Sequence, residues 1–210
     1  MTKFNAYVFT YNRKSMLDKT IEHLNDFSIR PMIIDDGSTY RTHHARYYRF
    51  EHGGKDGFWY LFNYAFVDSA NKLDDIFLFM PDDFQDIDIE RIKELHEQFK
   101  GKPYVYNIIN DGRSGMWTGV MESKVDDNTL MCGMVDCGFF CNYQALRKIG
   151  FYVTETESTE TESGVGKQLS QRFLKAKVPM YKPVKSLAYH GNHESVMHPE
   201  LRKRNPLISI

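Results

Sequence analysis

The run Ile76-Phe77-Leu78-Phe79-Met80, followed at once by Pro81-Asp82-Asp83-Phe84, decides the fold of this chain. Five consecutive apolar residues rich in Phe and Ile predict a buried strand. Two carboxylates directly after it fall where open α/β sheets bind ligands, at the carboxyl ends of the strands. Adjacent acids repel each other, so a partly buried pair calls for a cation nearby. A hard divalent ion that also holds a diphosphate suits oxygen ligands of this kind. The same residues also read as an acidic turn before a helix that starts near Asp88, because Asp is common at helix N-termini.

Working outward, strands and helices alternate. Residues 4 to 10 predict a strand. Ser15 to Phe27 carry Met16, Leu17, Ile21 and Leu24 at helical spacing, with Ser15 as N-cap. Pro31 to Ile34 make a second strand ending in Asp35-Asp36-Gly37-Ser38, and Tyr47 to Phe50 a third. Gly53-Gly54 breaks the chain before a helix over Phe58 to Ala70. This alternation predicts an α/β fold, a mixed and mostly parallel sheet flanked by helices.

The second half is less regular. An amphipathic helix spans Ile87 to Phe99 and is closed by Gly101 and Pro103. Tyr104 to Ile109, Trp117 to Met121 and Met131 to Phe140 read as strands, and Asn142 to Ile149 as a short helix. Thr154 to Ser163 is polar and acidic with no core residue, either a solvated loop or a mobile lid. Val165 to Ala176 predicts a helix, Pro179 to Tyr189 one or two strands, and a tail follows from His190.

At 210 residues the chain suits one domain, 1–210, with the regular strand–helix alternation in 1–100 and the less regular part in 101–210. The apolar fraction of 41%, the charged fraction of 26% and the net charge of −1 describe a globular protein without a global nucleic-acid footprint. Cys132, Cys137 and Cys141 fit neither a zinc site nor a redox CxxC motif, so reduced thiols in a cytoplasmic protein are expected. No signal peptide precedes the first strand, and no apolar run approaches the ~18 residues that span a bilayer. Membrane contact, if any, is expected to be peripheral.

Four segments together resemble the GT-A glycosyltransferases, the family-2 type above all. Thr10-Tyr11-Asn12-Arg13 is similar to the family's opening T-x-N-R, and Asp35-Asp36-Gly37-Ser38 to its D-D-G-S. Pro81-Asp82-Asp83 stands where the family has its DxD-type motif. Ser186-Leu187-Ala188-Tyr189-His190 resembles the closing strand whose histidine often joins the metal. The resemblance implies a metal-dependent transfer, typically inverting, from a nucleotide-diphosphate sugar such as a UDP-sugar to a hydroxyl, with 1–100 as the nucleotide-sugar-binding half and 101–210 as the acceptor-binding half. It implies Thr10, Tyr11, Asn12, Arg13 and Asp36 at the nucleotide, with Asp36 on the base. It places Asp83 on Mn²⁺ or Mg²⁺, Asp82 on the ribose or a metal-bound water, and His190 as a further ligand. The motif here is DD rather than DxD, which leaves the division between Asp82 and Asp83 open, and His193 competes with His190. Asp36 also reads as Asx-turn chemistry beside Gly37.

Gly53-Gly54-Lys55-Asp56-Gly57 opens a helix, and glycines with a lysine suit a phosphate there. The family commonly has an arginine one turn further on, so Lys55 is the substitute cation; a solvated turn is the alternative. For the base that takes the acceptor's proton, Glu162 fits the family's acid-before-helix pattern, which runs here to Arg172 without the usual second acid. Glu160 and Asp136, the latter ending an apolar strand in Val135-Asp136-Cys137-Gly138, compete with it. Trp117, near Asp111 and Arg113, is either a sugar platform or a core residue.

Two other classes compete: a nucleotide-binding module without chemistry, and a nucleotidyltransferase, whose glycine-rich first loop Thr10-Tyr11-Asn12-Arg13 lacks. The acceptor stays open among glycans, lipid-linked sugars, proteins and hydroxylated DNA bases. The last option rests on Arg41, His43, His44, Arg46, Arg49 and Lys55 with Arg202-Lys203-Arg204, and would suit a phage-type enzyme acting in a host cytoplasm.

Overall fold

Apolar strands of four to seven residues separated by amphipathic helices leave a chain few choices beyond a layered sheet. The computed structural model describes residues 3–40, 45–72, 75–110, 112, 117–136, 138–158 and 163–190. The first half runs β1 (Phe4–Thr10), α1 (Lys14–Asp26), β2 (Met32–Asp35), β3 (Ala45–Tyr48), α2 (Gly54–Ala70), β4 (Ile76–Pro81), β5 (Phe84–Gln85) and α3 (Ile89–Phe99). The second runs β6 (Val105–Asn107), β7 (Ser123–Lys124), β8 (Thr129–Cys132), β9 (Phe139–Cys141), α4 (Tyr143–Ile149), α5 (Val165–Lys175), β10 (Met180–Pro183) and β11 (Tyr189–His190).

Nine strands form one sheet in the order β3-β2-β1-β4-β9-β6-β10-β8-β7, and β11 pairs with β5 in a small second sheet. β3, β2, β1 and β4 are mutually parallel. β9 runs antiparallel between β4 and β6, and β8 antiparallel beside β10. The fold is therefore α/β with a mixed, mostly parallel sheet flanked by helices.

Alternation along the strands divides the core in two. Tyr7, Phe9, Ile34, Phe77, Phe79 and Phe139 face α2, α4 and α5, while Ala6, Val8, Leu78, Met80, Tyr106 and Phe140 face α1 and α3. β4 lies at the centre with Ile76 through Met80 buried on both faces, which is why its sequence is continuously apolar instead of alternating. Phe79 stacks on Tyr7 at 5.0 Å and tilts against Phe139 at 5.1 Å, joining parallel and antiparallel parts of the sheet.

Several boundaries differ from expectation. Ser15 is not the N-cap of α1: Arg13 holds that position without a side-chain cap, because a guanidinium has no acceptor to offer the helix amides, and it turns to Asp82 and Asp83 instead. α2 begins at Gly54, so Lys55 sits in its first turn and not in a loop ahead of it. Trp117 to Met121 form no strand, and Met131 to Phe140 split into the end of β8 and the start of β9. The Met131 to Phe140 run looked like one strand because it is largely apolar, yet Met131 is exposed at the end of β8 and Met134 and Val135 are buried in an irregular segment. Asn142 caps α4 by accepting from Ala145 N, and Gly150 closes it at φ 77°. No helix among the described residues is long and apolar enough to cross a membrane. Cys132 and Cys141 are buried free thiols.

Candidate active site

The parallel register brings β1, β2 and β4 to one edge, pairing Thr10 with Asp35 and Phe9 with Pro81. β9 is antiparallel to β4, so its start meets the same edge. A Cβ on Gly138 would lie 1.9 Å from the Phe84 ring, so only glycine lets this chain pass so close to the acidic turn.

Asp82 and Asp83 follow directly on β4 and are both buried, with exposures of 2% and 7%. The Asp82 amide donates to Phe9 O (3.0 Å), and Thr20 Oγ1 donates to Asp82 O (3.1 Å), so the turn is pinned from both β1 and α1. Thr10 Oγ1 donates to Asp82 Oδ2 at 2.6 Å. Arg13 Nη1 bridges the two acids, 3.3 Å from Asp82 Oδ1 and 2.5 Å from Asp83 Oδ2. Burial pushes the Asp82 carboxyl up to about 7, with Arg13 and the Thr10 hydrogen bond pulling the other way. For Arg13, burial works against the charge, but Asp83 and Asp82 beside it hold its value above the ordinary one.

Asp83 keeps capacity in reserve: its Oδ1 is buried with no hydrogen-bond partner. His190 Nε2 lies 3.5 Å from the other oxygen. The β11–β5 pairing sets His190 opposite Phe84, and the two rings meet edge to face at 5.0 Å. An orphaned carboxylate oxygen beside an imidazole nitrogen is a donor set that suits a divalent cation. Among the described residues no cluster of three or more His, Cys, Asp or Glu stands ready as a metal site. A cation here needs further oxygens, which phosphates and water supply for Mg²⁺-type sites.

Asp35 and Asp36 part company. Asp35 Oδ1 accepts from Ser38 N at 2.8 Å, so the Asx-turn belongs to Asp35. Asp36 reaches the start of α2 and accepts from Gly53 N (3.2 Å) and Gly54 N (3.1 Å), where the helix dipole favours a negative group. Arg49 Nη1 lies 3.5 Å from its Oδ1, and His52 Nδ1 lies 2.9 Å from its Oδ2. Burial raises the Asp36 carboxyl, against these donors. Gly37, at φ +86°, lets the loops approach; a Cβ there would meet His52 N at 2.8 Å. Tyr11 stacks on His52, with ring centroids 3.5 Å apart and planes at 6°. Asn12, at φ 52°, ties the first and second loops, donating from its N to Ser38 Oγ and accepting from Thr39 N.

On the other side, Asp136 N donates to Asn107 Oδ1 at 3.0 Å, and Asn107 Nδ2 donates to Met134 O and Tyr181 O. This network hangs the segment before β9 from the end of β6. Ser170 on α5 holds it from below by accepting from Val135 N. Trp117 is half-buried, and a Cβ on Gly166 would come within 3.2 Å of its ring. The start of the acidic stretch is tied down: Asn63 exchanges two hydrogen bonds with Val153, and Ser158 Oγ donates to Asp56.

The structure thus brings Thr10, Arg13, Asp82, Asp83 and His190 together, and gathers Tyr11, Asn12 and Asp36 beside them on the same edge. Lys55 stands in the first turn of α2. Glu160, Glu162 and His193 lie outside the described residues, as do Arg41, His43, His44, Asp111, Arg113 and Arg202 to Arg204. Sequence reasoning missed His52 and Asn107. A histidine just before Gly53-Gly54 was the one available signal for the first; nothing local marks the second.

No family model matches the chain, and no curated protein matches it in sequence. Solved structures do. The structure of S. aureus TarS 1-349 superposes with a TM-score of 0.61 at 15% identity, covering 92% of this chain and 61% of that one. A second S. aureus TarS structure gives 0.57 at 13% identity, covering 86% of this chain and 36% of that one. TarS is a GT-A glycosyltransferase, and the chain shares its fold. The chain spans less than two thirds of the length of either structure.

Proposed function

We propose that the chain is a glycosyltransferase that moves a sugar from a nucleotide-diphosphate donor, a UDP-sugar, to a hydroxyl acceptor in the cytoplasm. One observation carries this reading. The orphaned Asp83 oxygen, with His190 beside it, stands on the same sheet edge as Tyr11 and Asp36. Such an edge offers a charge site for a diphosphate next to an aromatic and a carboxylate for a base.

Asp83 and His190 would hold Mn²⁺ or Mg²⁺, with Asp82 kept in place by Thr10 and Arg13 for the ribose or a metal-bound water. The bound cation would supply charge stabilisation for the departing diphosphate. Arg13 keeps the two carboxylates together against their repulsion, and Lys55, at the start of α2, adds positive charge on the phosphate side. The acceptor's proton goes to a carboxylate, Glu162 by resemblance, with Glu160 and Asp136 in competition. Asn107 and Ser170 support the Asp136 segment. The acceptor class follows from none of these contacts. We keep the division into a donor half, 1–100, and an acceptor half, 101–210.

The test is a thermal-shift panel of nucleotide diphosphates and their sugars with and without Mn²⁺, since a ligand that binds only the native state raises its stability. UDP with Mn²⁺ should stabilise the wild type more than UDP alone. Stabilisation by no nucleotide in the panel contradicts the reading.

A further inference from the structure

The Asp36 carboxylate is already crowded. It accepts hydrogen bonds from Gly53 N at Oδ1 and Gly54 N at Oδ2, and two further nitrogens press on it, Arg49 Nη1 3.5 Å from Oδ1 and His52 Nδ1 2.9 Å from Oδ2. A base that reaches this carboxylate must replace one of the four. The two glycine amides belong to the backbone at the start of α2 and cannot leave without unwinding it. Arg49 is anchored elsewhere as well, against Gly57 O and over the Tyr60 ring at 5.7 Å. A Cβ on Gly53 or Gly57 would also run into its guanidinium, so Arg49 is packed in.

His52 differs from the other three. It is a partly exposed side chain, and its ring also covers a face of Tyr11, nearly parallel to it with centroids 3.5 Å apart. One planar heteroaromatic ring therefore takes up both positions that a nucleobase would take here: it stacks on Tyr11 and sets Nδ1 2.9 Å from Asp36 Oδ2, with its hydrogen bond to the Asp36 carbonyl oxygen at 3.2 Å. We propose that His52 is a built-in stand-in for the donor's base, which binds by displacing it. His52 thereby sets which bases enter. This inference rests on the reading of Tyr11 and Asp36 as the base site.

The chemistry selects the occupant. To replace His52 without loss, a ligand must bring a flat ring and an in-plane N–H, as the imide of uracil does. A ring methylated at that nitrogen leaves the buried carboxylate short of a donor and is rejected. A ligand with no base, such as pyrophosphate, has no reason to disturb His52.

The experiment measures UDP and pyrophosphate binding, both with Mn²⁺, to wild type, His52→Ala and His52→Phe. Circular dichroism confirms that each variant is folded. His52→Ala should bind UDP about tenfold more tightly, since a competing stack and polar contact are gone. Pyrophosphate affinity should not change. His52→Phe keeps the ring on Tyr11 but loses the contact to Asp36, so its gain should be smaller. Unchanged or weaker UDP binding in His52→Ala overturns the proposal, making His52 a wall of the site or a bystander. Equal tightening of pyrophosphate also overturns it. Asp36→Asn and Tyr11→Ala separate the two readings: if neither weakens UDP binding, the base site is misassigned and the stand-in falls with it.

Discussion

The donor edge and the far side of the sheet each bury a charged side chain in company, and they do so differently. At the donor edge Arg13 lies between Asp82 and Asp83 where β4 ends, and one Asp83 oxygen is left without a partner. In β10, Lys182 is 3% exposed inside the strand opposite Leu130, and it meets Glu122 at the partly open margin of the sheet. A charge within a strand is closed in by its neighbours and has only structural work. A charge at a strand's carboxyl end stands where open α/β sheets bind ligands, and an acceptor left over there is available to one.

Under the proposed function, the largest effect expected is on turnover. A positioned carboxylate base contributes ~10²–10⁴-fold, so Glu162→Gln should lose that much transfer while keeping donor affinity. Glu160→Gln and Asp136→Asn are the matched rivals, measured by steady-state transfer to the true acceptor. If Asp136→Asn alone is inactive, the base sits on the segment that Asn107 holds.

Next comes stability at the donor edge. Arg13→Ala leaves two buried carboxylates facing each other, a loss of about 3–5 kcal/mol in denaturant unfolding. Lys182→Met should change stability by less than about 1.5 kcal/mol, because an apolar chain of similar volume replaces a buried charge and Glu122 keeps access to water. Equal losses for the two would erase the contrast drawn above. Between them falls Gly138→Ala, whose Cβ meets the Phe84 ring; overpacking of this kind costs about 1–3 kcal/mol.

How much of this was legible follows from distance along the chain. Ile76 through Asp83 announced both a central strand and its acidic end, because burial on both faces writes itself as an unbroken apolar run. The four-segment order likewise pointed to the GT-A fold. The partners of Asp36 were not legible: Gly53, Gly54, Arg49 and His52 are separated from it by a strand and a loop, and only the parallel crossover brings them back. Trp117 to Met121 read as a strand from their apolar residues, but the structure leaves them irregular and Met121 82% exposed. The antiparallel half relies on long-range anchors such as Asn107 and Ser170, which leave no periodic trace.

A smaller effect concerns pH. The folded Asp82 carboxyl sits at about 7, against about 3.9 in an unfolded chain. Between those values the folded state holds a proton that the unfolded state has lost, so stability falls as pH rises through the window and levels off above it. Asp82→Asn cannot titrate. Relative to this variant, the wild type should lose on the order of 1–3 kcal/mol between pH 4 and pH 8 in thermal unfolding without metal. Parallel curves for the two proteins would contradict a carboxyl raised by burial at Asp82.

The most direct test titrates UDP by calorimetry into wild type and Asp83→Ala, each with Mn²⁺ and again with a chelator. The wild type should bind about tenfold or more tightly with Mn²⁺ than without, and Asp83→Ala should bind equally weakly in both, with the fold intact by circular dichroism. UDP affinity that ignores the metal in the wild type, or an Asp83→Ala protein that keeps the full metal dependence, would contradict the assignment of Asp83 to the cation.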